Sequence, residues 1–301
     1  LKIIKILLAS LLITLTGCKN KEEALNQKRE KIQVQGHRGD RGNFPENTIP
    51  AFISAVKKGV PVLELDVVVS KDQKVVVSHE PFMSSIFTLT PNGDSISREK
   101  EVSFNLYEMS YDSIRKFDVG SKGNLLFPEQ QKVKTYKPLL SEVIDSVESF
   151  IASEGLKPVK YNIELKSVKA EYGIYQPYPE EFIELVIKVV KEKGNLERII
   201  IQSFDPAILN LMNKKHPEIP LAFLVSKNGI QRNLSYLKFT PDVYSPHYLL
   251  VNKHFVDSIK SLEMDLIPWT VNEPSDIKRL IKFKVDGIIS DYPERIIKEI
   301  N

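Results

Sequence analysis

A parallel α/β fold of the (β/α)8 TIM barrel type, with a small insertion after a hairpin on the second strand, is predicted by three features of this sequence. After Ile32, short runs rich in β-branched residues alternate with longer amphipathic stretches, the mark of strands joined by crossover helices. Eight runs of each kind can be placed. One further run, Val75-Val76-Val77-Ser78-His79, follows its predecessor after a few polar residues, too few for a parallel crossover.

In chain order, a first strand at 32–37 precedes a helix at 49–59, where Asn47 or Thr48 is placed to cap. The second strand, 62–68, pairs with the extra run as a hairpin. A turn centred on Asp72-Gln73 sets Asp66 opposite His79, and directly opposed residues share a face of the sheet. Residues 82–135 lack a steady period. They hold a turn at Pro91-Asn92-Gly93-Asp94 and a short helix around 110–117, and fit either a small subdomain over the barrel mouth or a surface insert. Strands at 160–165, 198–203, 220–225, 242–246, 265–270 and 286–290 then alternate with helices at 139–153, 180–193, 205–215, 229–237, 252–262, 274–284 and 293–300.

The chain has 301 residues, 42% hydrophobic and 27% charged, enough for a full core. A formal charge of +3 makes no case for nucleic acid. Lys2 and Lys5 precede the apolar run 6–15, and Leu15-Thr16-Gly17-Cys18 follows. This resembles a bacterial lipoprotein leader, expected to be removed as residues 1–17 and to leave Cys18 as the acylated anchor. The run is too short to span a bilayer, which takes roughly 20 apolar residues. Residues 18–31 read as a charged tether, and 32–301 as the barrel domain. The expected location is thus exported and membrane-anchored, on the periplasmic or cell-surface face. Cys18 is the sole cysteine, so the domain has no disulfide and no thiol nucleophile.

The chemistry gathers in the first third. Glu64 and Asp66, at i and i+2 on a strand, both point into the barrel; Asn162, Glu164 and Lys166 do the same on the neighbouring strand. Buried acids are costly unless paired or bound to metal. Three oxygen donors suit one hard divalent cation, Ca²⁺, Mg²⁺ or Mn²⁺, while a salt bridge of Glu164 to Lys166 or Arg38 is the plainer reading. His37 and His79 reach the same end of the barrel, with Arg38 adjoining. Histidines work as base and acid near neutral pH, and an arginine can clamp a phosphate through paired hydrogen bonds. His216 and His254 read as helix-surface residues, and His247 as a candidate for the mouth. Glu46 reads as a structural partner that orients Arg38.

The segments His37-Arg38-Gly39, Pro45-Glu46-Asn47-Thr48, Glu64-Leu65-Asp66-Val67, Val76-Val77-Ser78-His79, Asn162-Ile163-Glu164-Leu165-Lys166, Gln202-Ser203-Phe204-Asp205, Trp269-Thr270-Val271-Asn272 and Asp286-Gly287-Ile288-Ile289-Ser290-Asp291 resemble, in order, those of the glycerophosphodiester phosphodiesterase family. The resemblance runs from about Ile32 to the C-terminus and is weakest between Pro81 and Tyr136. It implies hydrolysis of glycerophosphodiesters to glycerol 3-phosphate and an alcohol. His37 is implied as base, His79 as acid, and Glu64, Asp66 and Glu164 as metal ligands. Arg38 and Lys166 are implied as phosphate-binding cations, with Trp269 and Phe204 as walls for the glycerol. Two positions depart from the family pattern: Glu80 stands where Asp is usual, and Gln73 where the turn usually has Gly. The first is expected to alter the hydrogen bond that orients His79, and the second to change the backbone shape of the turn. A phospholipase acting on lyso- or intact lipids, and a lipoprotein that binds a phosphorylated ligand without turnover, are the alternatives.

Overall fold

The computed structural model describes residues 32–301; the leader, the tether and Cys18 lie outside the described residues. Eight parallel strands form the wall: β1 (Gln33–Gly36), β2 (Val62–Val69), β4 (Lys160–Leu165), β5 (Ile199–Ser203), β6 (Leu221–Val225), β7 (Val243–Pro246), β8 (Asp265–Leu266) and β9 (Gly287–Ser290). Their ladder runs β8-β7-β6-β5-β4-β2-β1-β9. The remaining seam is bridged by backbone bonds from Asp286 to Leu266 (2.9 Å), Ile289 to Pro268 (3.0 Å) and Val271 to Ile289 (2.9 Å). The last strand expected before that seam, 265–270, shortens to Asp265–Leu266 because Pro268 has no N–H to give to a ladder.

Eight helices flank the wall among the described residues: Ile49–Lys57, Leu140–Glu154, Pro179–Glu192, Pro206–Lys215, Ile230–Leu234, Lys253–Ser261, Pro274–Phe283 and Pro293–Ile300. Five of them carry proline in the first turn, where its fixed φ suits the helix and its missing N–H costs nothing. Gly155, at φ +62°, ends the helix Leu140–Glu154 in the left-handed conformation. The helix at Ile49 starts differently from expectation. Thr48 makes no cap bond and instead donates to the Pro45 carbonyl, while Asn47 is turned inward to Asp66. Leu63, Leu65 and Val67 face the helices in the main core, so the intervening Glu64 and Asp66 face the barrel axis. A separate apolar layer of Ile200, Ala222, Val243, Ile267 and Ile289 fills the interior of the barrel.

The hairpin pairs β2 with β3 (Val75–Val77), but its register differs by one from expectation. Val67 opposes Val77, which puts Ser78, not His79, across from Asp66. Gln73 adopts φ +57°, the left-handed shape that the usual glycine would take, so the turn keeps that shape despite the side chain. His79 follows the end of the ladder and reaches the site from the loop. The insertion packs on the face of this hairpin that continues from Glu64 and Asp66, above the barrel mouth. Met83, Leu106, Tyr111, Ile114 and Phe117 bury Val68 and Val76 in a cluster of their own. Its one α-helix, Tyr111–Ile114, is shorter than expected.

Candidate active site

Neighbouring registry brings the acids together. Asp66 on β2 pairs directly with Glu164 on β4, and Glu64 lies two residues back on the same face. Each offers an oxygen within 4.8 Å of the others, and all three are buried. Burial pushes the Glu64 carboxyl well above its ordinary value, and the charges of Asp66 and Glu164 push it further. Burial raises Asp66 too, but Arg38, His79 and Lys166 outweigh it and hold that carboxyl ionised. Burial also raises Glu164, with Lys166 opposing. Glu64 accepts from Gln202 Nε2 at 2.7 Å and from the Arg38 N–H at 2.8 Å. Asp66 Oδ2 accepts from Asn47 Nδ2 at 2.9 Å. Asp66 Oδ1 is buried and accepts no hydrogen bond, with Lys166 Nζ 3.7 Å away. The plainer alternative is present as well, since Lys166 Nζ binds Glu164 Oε1 at 2.7 Å. It does not satisfy the site, because an orphaned Asp66 oxygen and the repulsion of Glu64 by Asp66 and Glu164 remain. An all-oxygen donor set with excess negative charge fits a hard divalent cation.

His37 sits where β1 ends. Its Nδ1 lies 2.6 Å from Asp291 Oδ1, at the end of β9. Burial would raise the Asp291 carboxyl, but His37 and Arg41 hold it far below its usual range, so Asp291 is an acceptor. Nδ1 therefore carries the proton and Nε2 is free to take one. Burial lowers the His37 pKa, with Asp291 opposing, which favours the neutral ring. His79 has Glu80 Oε1 at 2.9 Å from its Nδ1, so the glutamate that replaces the usual aspartate makes that contact itself.

Arg38 takes φ +51°, a left-handed turn costly for a side chain of this size, and its surroundings hold it there. Its Nη1 donates to Glu46 Oε1 at 2.6 Å, and its Nε lies 3.2 Å from Asp66 Oδ2 without hydrogen-bond alignment. Glu46 also accepts from Arg41 Nε at 2.6 Å, the structural part expected of it. His37, Arg38, Arg41, Glu64, His79, Glu164 and Lys166 surround a cavity of about 160 Å³, closed on the far side by Gln202, Phe204, Leu224, Trp269, Thr270 and Ile289. Trp269 is fixed by Nε1 donating to the Ser245 carbonyl at 2.8 Å, with Phe204 edge-on at 5.4 Å.

His247 packs edge-on against Trp269 at 5.4 Å but does not line the cavity. His254 lies on the helix Lys253–Ser261, and His216 caps the end of Pro206–Lys215. Asp291, Gln202, Arg41 and Asn47 are the members that sequence reading missed. Asp291 closes a strand beside the barrel mouth, a placement that by itself marks a candidate in this fold.

The glycerophosphoryl diester phosphodiesterase family model matches residues 37–295. A glycerophosphodiester phosphodiesterase from Caldanaerobacter subterraneus subsp. tengcongensis is 34% identical over 267 residues, covering 89% of this chain and 97% of that protein. A crystal structure from Silicibacter pomeroyi, provisionally described as a glycerophosphoryl diester phosphodiesterase, superposes with a TM-score of 0.80 at 28% identity, covering 90% of this chain and 93% of that one. An Oleispira antarctica phosphodiesterase, solved with the product sn-glycerol-3-phosphate, shares the fold with a TM-score of 0.70 at 24% identity, covering 89% and 96%. With the family model spanning most of its length, the chain belongs to the glycerophosphoryl diester phosphodiesterase family.

Proposed function

We propose that this protein hydrolyses glycerophosphodiesters to glycerol 3-phosphate and an alcohol, with His37 as base and His79 as acid. The observation that carries the reading is one cavity lined by two histidines, by Arg38, Arg41 and Lys166, and by Glu64 and Glu164, which converge with Asp66. Glu64, Asp66 and Glu164 would hold a divalent cation. That ion, when bound, supplies positive charge to neutralise the phosphoryl oxygens. Arg38 and Lys166 add charge on the same oxygens. His37 Nε2 removes the proton of the glycerol 2-hydroxyl, whose oxygen attacks phosphorus. His79 protonates the departing alcohol. Water then opens the cyclic phosphate with the two histidines reversing roles. Trp269 and Phe204 wall the glycerol. Product identification with a panel of glycerophosphodiesters, with and without each divalent cation, tests this. Glycerol 3-phosphate is expected from the panel when a divalent cation is present, and binding with no turnover of any member would favour the binding-protein alternative.

A second reading, hydrolysis of lysophospholipids, is favoured by an apolar groove of about 660 Å³ in the insertion. Leu125 and Leu126 in its wall are 95% and 68% exposed. The groove reaches the catalytic cavity at Arg41, whose guanidinium lies 4.6 Å from the Phe127 ring centre. This is the His37 side, where the glycerol and any acyl chain on it would lie. Leu125→Asp with Leu126→Asp is expected to reduce turnover of a lysophospholipid about tenfold or more, since burying two leucines is worth roughly 1.5–3 kcal/mol each. Glycerophosphocholine should be unaffected. Equal effects on both substrates would count against an acyl site.

Membrane attachment through a lipid on Cys18 is likewise proposed, on the motif Leu15-Thr16-Gly17-Cys18 alone. Cys18→Ser is expected to move the protein out of the membrane fraction; unchanged membrane association would contradict the anchor.

A further inference from the structure

Lys137 has no part in the chemistry above, yet it is only 5% exposed. It lies beside the end of β3, where the Val77 N–H donates to the neighbouring Pro138 carbonyl at 2.8 Å. A polar chain runs from it to His79. Lys137 Nζ donates to Ser78 Oγ at 2.7 Å. Ser78 Oγ donates in turn to the Glu80 carbonyl at 2.6 Å, and the Ser78 N–H donates to the Asp66 carbonyl at 3.0 Å. Glu80 Oε1 meets His79 Nδ1 at 2.9 Å, while Glu80 Oε2 is buried and accepts no hydrogen bond.

A buried ammonium is costly without opposing charge. Burial does push the Lys137 pKa down, and the carboxylates of Glu80 and Glu46 resist. Burial raises Glu80 as well, but the hydrogen bond and charge of His79, followed by the charge of Lys137, hold it down to about 2. An ionised Glu80 can only accept, so the proton of His79 Nδ1 points at it and Nε2 is left toward the cavity.

We propose that Lys137 is a positioning residue for His79. Through Ser78 and its charge beside Glu80, it fixes the 78–80 loop and the ring orientation from which His79 protonates the departing alcohol. The inference rests on the reading of His79 as the acid. It carries a signature that a purely structural lysine lacks. Losing Lys137 should hurt only where the leaving group needs a proton. An alkoxide needs one, and a nitrophenolate hardly does.

The experiment compares the full-length wild type with Lys137→Met, Lys137→Arg and Ser78→Ala. The substrates are glycerophosphocholine and the nitrophenyl ester of glycerol 3-phosphate, at saturating divalent cation. Lys137→Met is expected to lose about 10–100-fold in kcat on the choline ester, the scale typical of removing a support behind a reacting group. KM should change little, and the nitrophenyl ester should be turned over nearly as by wild type. Lys137→Arg should recover most of the loss, and Ser78→Ala should show the same selectivity more weakly. Equal loss on both esters in a folded variant, or unchanged kcat on the choline ester, would overturn the proposal. If Lys137→Met does not fold, Ser78→Ala decides it by the same comparison. A wild type inactive on both esters would overturn the phosphodiesterase reading, and this role with it.

Discussion

Alanine at His37 or His79 is expected to lower turnover of glycerophosphocholine by about 10²–10⁴, the range for loss of a proton-transfer group. Substrate binding should change much less, because Arg38, Lys166 and the Trp269 wall remain. The double variant should be little worse than either single one, since base and acid serve one chemical step and their losses do not add. The two variants separate on a nitrophenyl ester, whose leaving group hardly needs protonation. It should rescue His79→Ala far more than His37→Ala. Equal rescue of both would contradict the role assignment and leave the phosphodiesterase reading in place. As the proposed base His37 would react in its neutral form, and burial lowers its pKa. The acid limb of kcat/KM is therefore expected below the ordinary histidine value of 6.5, and a limb above it would mean that another group controls the rate.

The second large effect concerns the acids. Chelation is expected to abolish hydrolysis, and Ca²⁺, Mg²⁺ or Mn²⁺ to restore it. Glu64→Gln, Asp66→Asn and Glu164→Gln should each weaken cation binding, but their effects on the cation-free protein should differ in sign. The Glu64 carboxyl has a raised folded pKa, so the stability it contributes is present at low pH and is lost as pH rises through that value. At neutral pH, Glu64→Gln removes a repelling charge and should raise the melting temperature in chelator. Asp66 is held ionised by Arg38 and Lys166, and its contribution is present above the unfolded pKa. Asp66→Asn should therefore lower the melting temperature. With cation at 100 times its Kd the wild type should gain about 2.7 kcal/mol, and each variant less at that concentration. Calorimetric melts with and without chelator read all of this. Three variants that bind cation like wild type would place the ligands elsewhere.

The barrel was legible because its pattern is local. Alternating strand and helix runs, and prolines at helix starts, are visible along the chain. Two acids at i and i+2 on one strand and a third on its neighbour needed only the strand period to be brought together. The hairpin register was not legible. Val67–Val69 and Val75–Val77 are buried on both faces, so no polar residue marks which face is which, and a slip of one residue reads equally well. Gln73 held the left-handed shape without the glycine that would have announced it. Glu80 beside His79 was legible, but the distant contacts behind the two histidines were not. His37 meets Asp291 across 254 positions through closure of the barrel, and Lys137 meets Ser78 across 59 where the chain returns from the insertion beside β3.

Metal-dependent cleavage of the bond between phosphorus and the head-group oxygen can be read by phosphorus NMR of glycerophosphocholine turnover. With Ca²⁺, Mg²⁺ or Mn²⁺ present, the substrate resonance should be replaced by that of glycerol 3-phosphate, with choline released in equal amount. In excess chelator it should persist. Full turnover in chelator by metal-free protein would rule out the metal dependence, and phosphocholine and glycerol as the products would rule out cleavage at that bond.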